Sequence, residues 1–186
     1  MGQVNCSSGP LRIAGILIGV LAGFAAPPEG QAAGPPSEYQ VKSAFLLNFT
    51  KFVEWLPAAF EDSRSPLAIC VLGDDPFDGA LDQLLEGEVV DGRQLVARRI
   101  RRPPEPKACQ VLFISRSEKD VPVIIQGLGP GVLTVSDRDG FLGEGGVIGF
   151  VVQGRHVRFD ISQRAASGAQ LTLSARLLSV ARSVEK

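Results

Sequence analysis

Few residues of this chain could do chemistry, and their types exclude most reactions. Three cysteines and a single histidine are the only thiols and imidazole in 186 residues. A zinc site takes three or four Cys, His or carboxylate ligands, and no spacing here supplies them, so neither metal nor cofactor is expected. Ser-His-Asp catalysis would have to use His156, which falls in an alternating strand pattern and reads as a surface residue. Gly-x-Ser-x-Gly and Gly-Lys-Ser/Thr are both absent, which removes the nucleophile elbow and the phosphate loop. Gly127-Leu128-Gly129-Pro130-Gly131 follows a helical pattern and enters a strand. That is the reverse of the dinucleotide fingerprint, so it reads as a turn. What remains is Cys70 and Cys109, and three polar clusters that each follow an apolar run: Gly73-Asp74-Asp75, Ser115-Arg116-Ser117 and Ser136-Asp137.

The elements that must position these residues begin with an address. Arg12 precedes an uninterrupted apolar run over 13–26, and Pro27, Pro28, Pro35 and Pro36 follow. The run is too short to span a bilayer and has the length and small-residue end of a secretory h-region. Residues 1–33 thus read as a signal peptide with a proline-rich lead-in, and the mature domain as 37–186. Export removes Cys6 and leaves Cys70 and Cys109 as an even pair in an oxidising compartment. Bridged, they would close a loop of about 40 residues, worth on the order of 3–4 kcal/mol. Unbridged, they would be two buried thiols acting as small hydrophobes.

Residues 37–56 read as a helix with Ser37 as N-cap, a weak capping box to Gln40, and Pro57 as the stop. At 100° per residue, Lys42, Ser43, Thr50, Lys51 and Glu54 share one half of the wheel, joined by Leu47. Val41, Ala44, Phe45, Leu46, Phe49, Phe52, Val53, Trp55 and Leu56 share the other. So wide an apolar arc exceeds the need of an ordinary surface helix and predicts contact with the sheet and with a second surface. Phe45, Phe49, Phe52 and Trp55 are the candidate partner or dimer contacts. Buried strands are predicted at 67–72, 109–115 and 132–135, with a further strand over 94–100. Helices are predicted near 75–85 and 118–128. Strands over 147–152 and 156–161 form a hairpin around Gln153-Gly154-Arg155, and a helix over 174–184 closes the chain. The fold class is α/β: a single-domain open, mostly parallel sheet flanked by helices, with an antiparallel hairpin at one end.

The formal charge of −1 does not indicate nucleic-acid binding. Charge is nonetheless segregated. Residues 65–92 carry Asp74, Asp75, Asp78, Asp82, Glu86, Glu88 and Asp91 and no Lys or Arg. Residues 93–107 carry Arg93, Arg98, Arg99, Arg101, Arg102 and Lys107 against Glu105. These read either as two solvated faces that attract one another or as a docking patch. Because open α/β sheets bind ligands beyond the carboxyl ends of their strands, Asp74, Asp75, Ser136 and Asp137 are the candidate small-molecule pocket. Their carboxylates would favour a cationic or hydroxyl-rich ligand.

The helix Tyr39-Gln40-Val41-Lys42-Ser43-Ala44-Phe45-Leu46-Leu47-Asn48-Phe49-Thr50-Lys51-Phe52-Val53-Glu54-Trp55 resembles the opening helix of the YfiR family of exported bacterial proteins. Val71-Leu72-Gly73-Asp74-Asp75-Pro76-Phe77, Cys109-Gln110-Val111-Leu112-Phe113-Ile114-Ser115 and Val132-Leu133-Thr134-Val135-Ser136-Asp137 resemble it too, as do Gly140-Phe141 and Gly145-Gly146-Val147-Ile148-Gly149-Phe150-Val151. The resemblance runs from about residue 37 to 184. It implies a periplasmic, non-enzymatic regulator, often a homodimer, that holds a membrane-bound diguanylate cyclase inactive and so restrains cyclic di-GMP and biofilm formation. It also implies that Cys70 and Cys109 match a family disulfide, whereas a second family disulfide has no counterpart after Ser136. Other members accompany sensor kinases, so the partner is expected to be either kind of membrane protein. Two further readings stand beside this one: a periplasmic small-molecule sensor serving a histidine kinase or transport system, and an exported hydrolase using His156.

Overall fold

The computed structural model describes residues 1–3, 35–105 and 107–186. The predicted signal peptide lies almost wholly outside the described residues, as does Cys6. Pro35–Lys186 make up one folded unit.

Among the described residues this unit holds ten strands and five α-helices. In chain order they are α1 (Glu38–Phe52), β1 (Val53–Glu54), β2 (Leu67–Leu72), α2 (Ala80–Leu85), β3 (Val89–Val90), β4 (Arg93–Ile100), β5 (Val111–Ile114) and α3 (Val121–Gln126). Then come β6 (Leu133–Ser136), β7 (Ile148–Gln153), β8 (His156–Ser162), α4 (Gln163–Gly168), β9 (Thr172–Leu173), α5 (Ala175–Val180) and β10 (Ser183–Glu185). Eight strands form one sheet in the order β10-β8-β7-β6-β5-β2-β4-β3. Pairing is parallel from β4 through β7. It turns antiparallel at the β7–β8 hairpin and at β3. This is the predicted α/β class. The hairpin is not the last element of its edge, because β10 adds outside it, parallel to β8.

The central strands are apolar throughout because both faces of the sheet are covered. Leu67, Ile69 and Val71 of β2 join one buried cluster with Leu46, Phe49, Leu81, Phe150 and Phe159. Ala68, Cys70 and Leu72 point the other way and join Leu112, Ile114, Val121 and Phe141. A continuous apolar run, rather than alternation, is the pattern such a strand requires.

All four predicted helices move at a boundary, and the one expected near 118–128 shortens to Val121–Gln126. The opening helix stops at Phe52 rather than running to Leu56, because Val53 and Glu54 pair with Leu173 and Thr172 as a small antiparallel sheet. The helix expected from residue 75 begins at Ala80, after turns around Gly79, whose φ is +79°. The closing helix ends at Val180. Beyond it Arg182 N–H donates to Phe159 O, its guanidinium grips Asp160, and the remaining residues enter the sheet as β10.

Candidate functional site

The three polar clusters do lie at the carboxyl ends of β2, β5 and β6, and α1 is clamped down onto one of them. Ser37 caps α1, its Oγ accepting from Gln40 N–H at 3.3 Å while the Gln40 side chain accepts from Ser37 N–H at 2.7 Å. The expected capping box is therefore complete. One turn on, Lys42 is wholly buried. Its ammonium donates to Asp137 Oδ2 at 2.5 Å, pairs with Glu38 one turn earlier, and sits 4.2 Å from the centre of the Tyr39 ring. Tyr39 Oη donates to the same Asp137 oxygen at 2.9 Å, and Arg116 Nε approaches Asp137 Oδ1 at 3.1 Å. Ser136, also buried, donates to Ile114 O at 2.7 Å and accepts from Arg138 N–H.

Burial opposes a charge on Asp137, but the hydrogen bond and charge of Lys42, with Tyr39 and Arg116, outweigh it and hold the carboxyl below its ordinary range. Tyr39 moves the opposite way. Burial first, then its hydrogen bond to Asp137, push the phenol up to about 12. The result is an internally neutralised knot joining the start of α1 to the end of β6.

Asp75 is paired as well. It accepts from Arg99 Nε at 2.7 Å, and its other oxygen accepts from Phe77 N–H. Arg99 also forks onto Asp82 and lowers that acid's pKa. This is how the acidic and basic segments attract one another: a β4 cation across Asp75 of the β2–α2 connection and Asp82 in the first turn of α2. Asp74 is exposed, and its N–H donates to Ser117 Oγ at 3.0 Å. At the crevice between β2 and β5, Gly73 has φ +88°, and a Cβ there would lie 2.6 Å from both Ser117 Oγ and Glu118 Oε1. The chain's own side chains thus fill the place where the strand order reverses. Asp74 and Asp75 share no hydrogen bond with Ser136 or Asp137 among the described residues. The edge contact between the Tyr39 and Phe77 rings links the two groups.

Lys42 was not read as part of this site because it was grouped with the polar residues of the helix, although at 100° per residue it falls between Phe49 and Val53. The buried face of α1 is instead Lys42, Ser43, Leu46, Leu47, Phe49 and Thr50. This face is turned roughly a third of a revolution from the apolar arc. Ser43 and Thr50 tolerate burial by donating back to Tyr39 O and Leu47 O. The i, i+4 spacing of Glu38 and Lys42 was the one local signal available.

The rotation has a consequence on the opposite side. Val41, Phe45 and Phe52 form a stripe that is only partly covered, and Trp55 continues it just past the helix. Phe49, expected at the same surface, is 1% exposed and packs within about 6 Å of Phe150 and Phe159, so its task lies inside the fold. Phe45 covers these rings from outside, stacked on Phe49 and edge-on to Phe159. Beside it the β7–β8 hairpin extends past the last β6 pairing at Ser136–Gly149. There it leaves Val152 46% exposed. A groove of about 350 Å³ runs between them, lined by Pro36, Val41, Phe45, Val152, His156 and Val157. His156 stands on its exposed wall. The Trp55 indole N–H is covered yet donates to nothing among the described residues, an arrangement that costs stability.

Cys70 and Cys109 form a disulfide with Cα atoms 5.9 Å apart. Beside it Gln110 is buried. Its side chain accepts from Ala68 N–H and donates to Ala59 O and Lys107 O. Among the described residues no helix is long and apolar enough to cross a membrane.

A search of curated proteins returns no match. A family model described as YfiR/HmsC-like matches residues 39–182, from the tyrosine of the α1 knot to the arginine that anchors β10. That span takes in every element from α1 to α5, and the chain belongs to the YfiR/HmsC-like family.

Proposed function

We propose that this protein is a periplasmic regulator that binds the sensor region of an inner-membrane diguanylate cyclase and keeps the enzyme inactive. Membership of the YfiR/HmsC-like family supports a periplasmic regulator of such a cyclase, and a disulfide suits an oxidising compartment. The observation that carries the reading is the apolar stripe of α1. Val41, Phe45, Phe52 and Trp55 remain partly open, next to an exposed Val152 on a projecting hairpin. Exposed contiguous apolar area of this kind marks interaction surfaces, and aromatic residues dominate their energetics. The mechanism is differential binding: the regulator favours the inactive arrangement of the sensor region and shifts its population. A second copy of the chain can use the same stripe, so self-association and partner binding compete or combine there.

Deleting the gene is expected to raise cellular cyclic di-GMP, and restoring the wild-type chain to lower it. Restoring Phe52→Asp should leave it high. Phe52 is half-buried with the Arg176 guanidinium 5.8 Å from its ring centre, so an aspartate there meets a cation and the fold survives. A folded, exported Phe52→Asp chain that lowers cyclic di-GMP as well as wild type would remove the stripe from the mechanism.

A further inference from the structure

Residues 96, 98 and 100 of β4 face away from Arg99, toward the disulfide side of the sheet. A cavity of about 520 Å³ opens there, lined among others by Arg98, Ile100, Arg101, Pro103, Ala108 and Cys109. Ile100 and Ala108 pack on the cluster that holds the disulfide, so the floor is apolar. The lining surface is almost wholly apolar, so the arginine stems contribute to its wall, while Arg101, Arg102 and Glu105 are exposed around its edge. Arg98 donates to Ala108 O at 3.0 Å, which ties the strand to the loop entering β5. Arg101 and Arg102 make no ion pair among the described residues, whereas Arg99 on the opposite face is saturated by two acids. Pro103 and Pro104 supply no N–H at this edge, and Arg101 and Arg102 are the exposed cationic donors beside it.

Apolar cavities of this size with a few polar groups at the opening are the usual form of a small-molecule site. Guanidinium forks match a carboxylate or sulfate oxygen pair. An edge with Arg101 and Arg102 against Glu105 suits a single negative charge rather than a polyanion. We propose that this cavity binds a small amphipathic organic anion, with its apolar body against Ile100, Ala108 and Cys109 and its carboxylate at Arg101 and Arg102. Nothing in this assignment depends on the regulatory reading.

The test titrates decanoate into the exported, disulfide-bonded protein and follows backbone amides by NMR. Saturable shifts are expected at Ile100, Ala108 and Cys109. R101E/R102E should weaken binding by about tenfold or more, the loss of a charge-assisted fork. Uncharged 1-decanol should bind correspondingly more weakly than decanoate. Should R101E/R102E lose its native spectrum, R101Q/R102Q replaces it. Shifts confined to the groove beside Phe45, unchanged affinity in the folded variant, or equal binding of decanol would overturn the assignment. Capture on phosphatidylglycerol vesicles through Arg101 and Arg102, with no decanoate binding, would overturn it too and assign the rim to a membrane surface.

Discussion

Replacing Asp137 with alanine is expected to cost about 3–5 kcal/mol of folding stability, the range for removing one partner of a buried ion pair. The Lys42 and Asp137 side chains are 0% and 2% exposed, at 2.5 Å from one another. Without Asp137, the ammonium keeps only Glu38, whose side chain is 43% exposed, and the face of Tyr39. Arg116 loses little, because its side chain is 60% exposed and water replaces the contact. Lys42→Met should cost less, about 2–3 kcal/mol, because the carboxylate retains Tyr39 and Arg116. The double variant K42M/D137A removes both charges from a buried site, so its cost should fall about 2 kcal/mol or more below the sum of the singles. Urea titrations at neutral pH, with the disulfide oxidised, read each value from the single tryptophan, Trp55. For a domain of about 150 residues, 3 kcal/mol corresponds to roughly 6–12 °C in Tm. If Asp137→Ala lies within about 1 kcal/mol of wild type, or the double variant is additive, the knot does not lock α1 to the sheet and the reasoning fails.

Removing the bridge as C70A/C109A should cost on the order of 3–4 kcal/mol in the same titration, the chain-entropy value for a separation of 39 residues. Tyr39 gives a pH signature. Its folded pKa of about 12 lies above the ordinary value of 10, so its contribution is complete below pH 10 and lost as pH rises toward 12. Relative to Tyr39→Phe, wild-type stability should therefore fall across that window, and parallel curves would contradict the assigned hydrogen bond. Asp137 has the opposite sign: its contribution is present above the ordinary carboxylate range and lost as pH falls through its lower folded value. Asp137→Asn should accordingly flatten the acid limb of the stability curve. Gly146→Ala would place a Cβ 2.2 Å from the buried Phe141 ring. Overpacking there should cost about 1–3 kcal/mol, measurable by thermal melting.

The sheet was legible because its centre needs nothing but burial. The runs at 67–72, 109–115 and 132–135 are largely apolar without alternation, and each holds a parallel strand, the second trimmed to Val111–Ile114 and the third shifted by one residue to Leu133–Ser136. The hairpin was legible from its Gly154 turn. The two-residue strands β1 and β9 were not, since pairings so short are set by the elements around them. Nor was β10, which depends on the distant Asp160 gripping Arg182. The facing of α1 was misread for a related reason: its wheel ranks residues by polarity, but Lys42 is buried by a carboxylate 95 positions away. Sequence reasoning did place Ser136 and Asp137 at the carboxyl end of a strand. It could not show that their oxygens would be taken by the chain itself.

The central claim is that the open stripe of α1 is what engages a membrane signalling protein. The most direct measurement is affinity capture from native membranes, using the tagged, disulfide-bonded protein and a Phe45→Asp, Val152→Asp double variant shown to fold by circular dichroism. The account predicts that wild type recovers an inner-membrane protein with a cyclase domain and that the folded variant does not. Equal recovery by both, or recovery by neither, would contradict it.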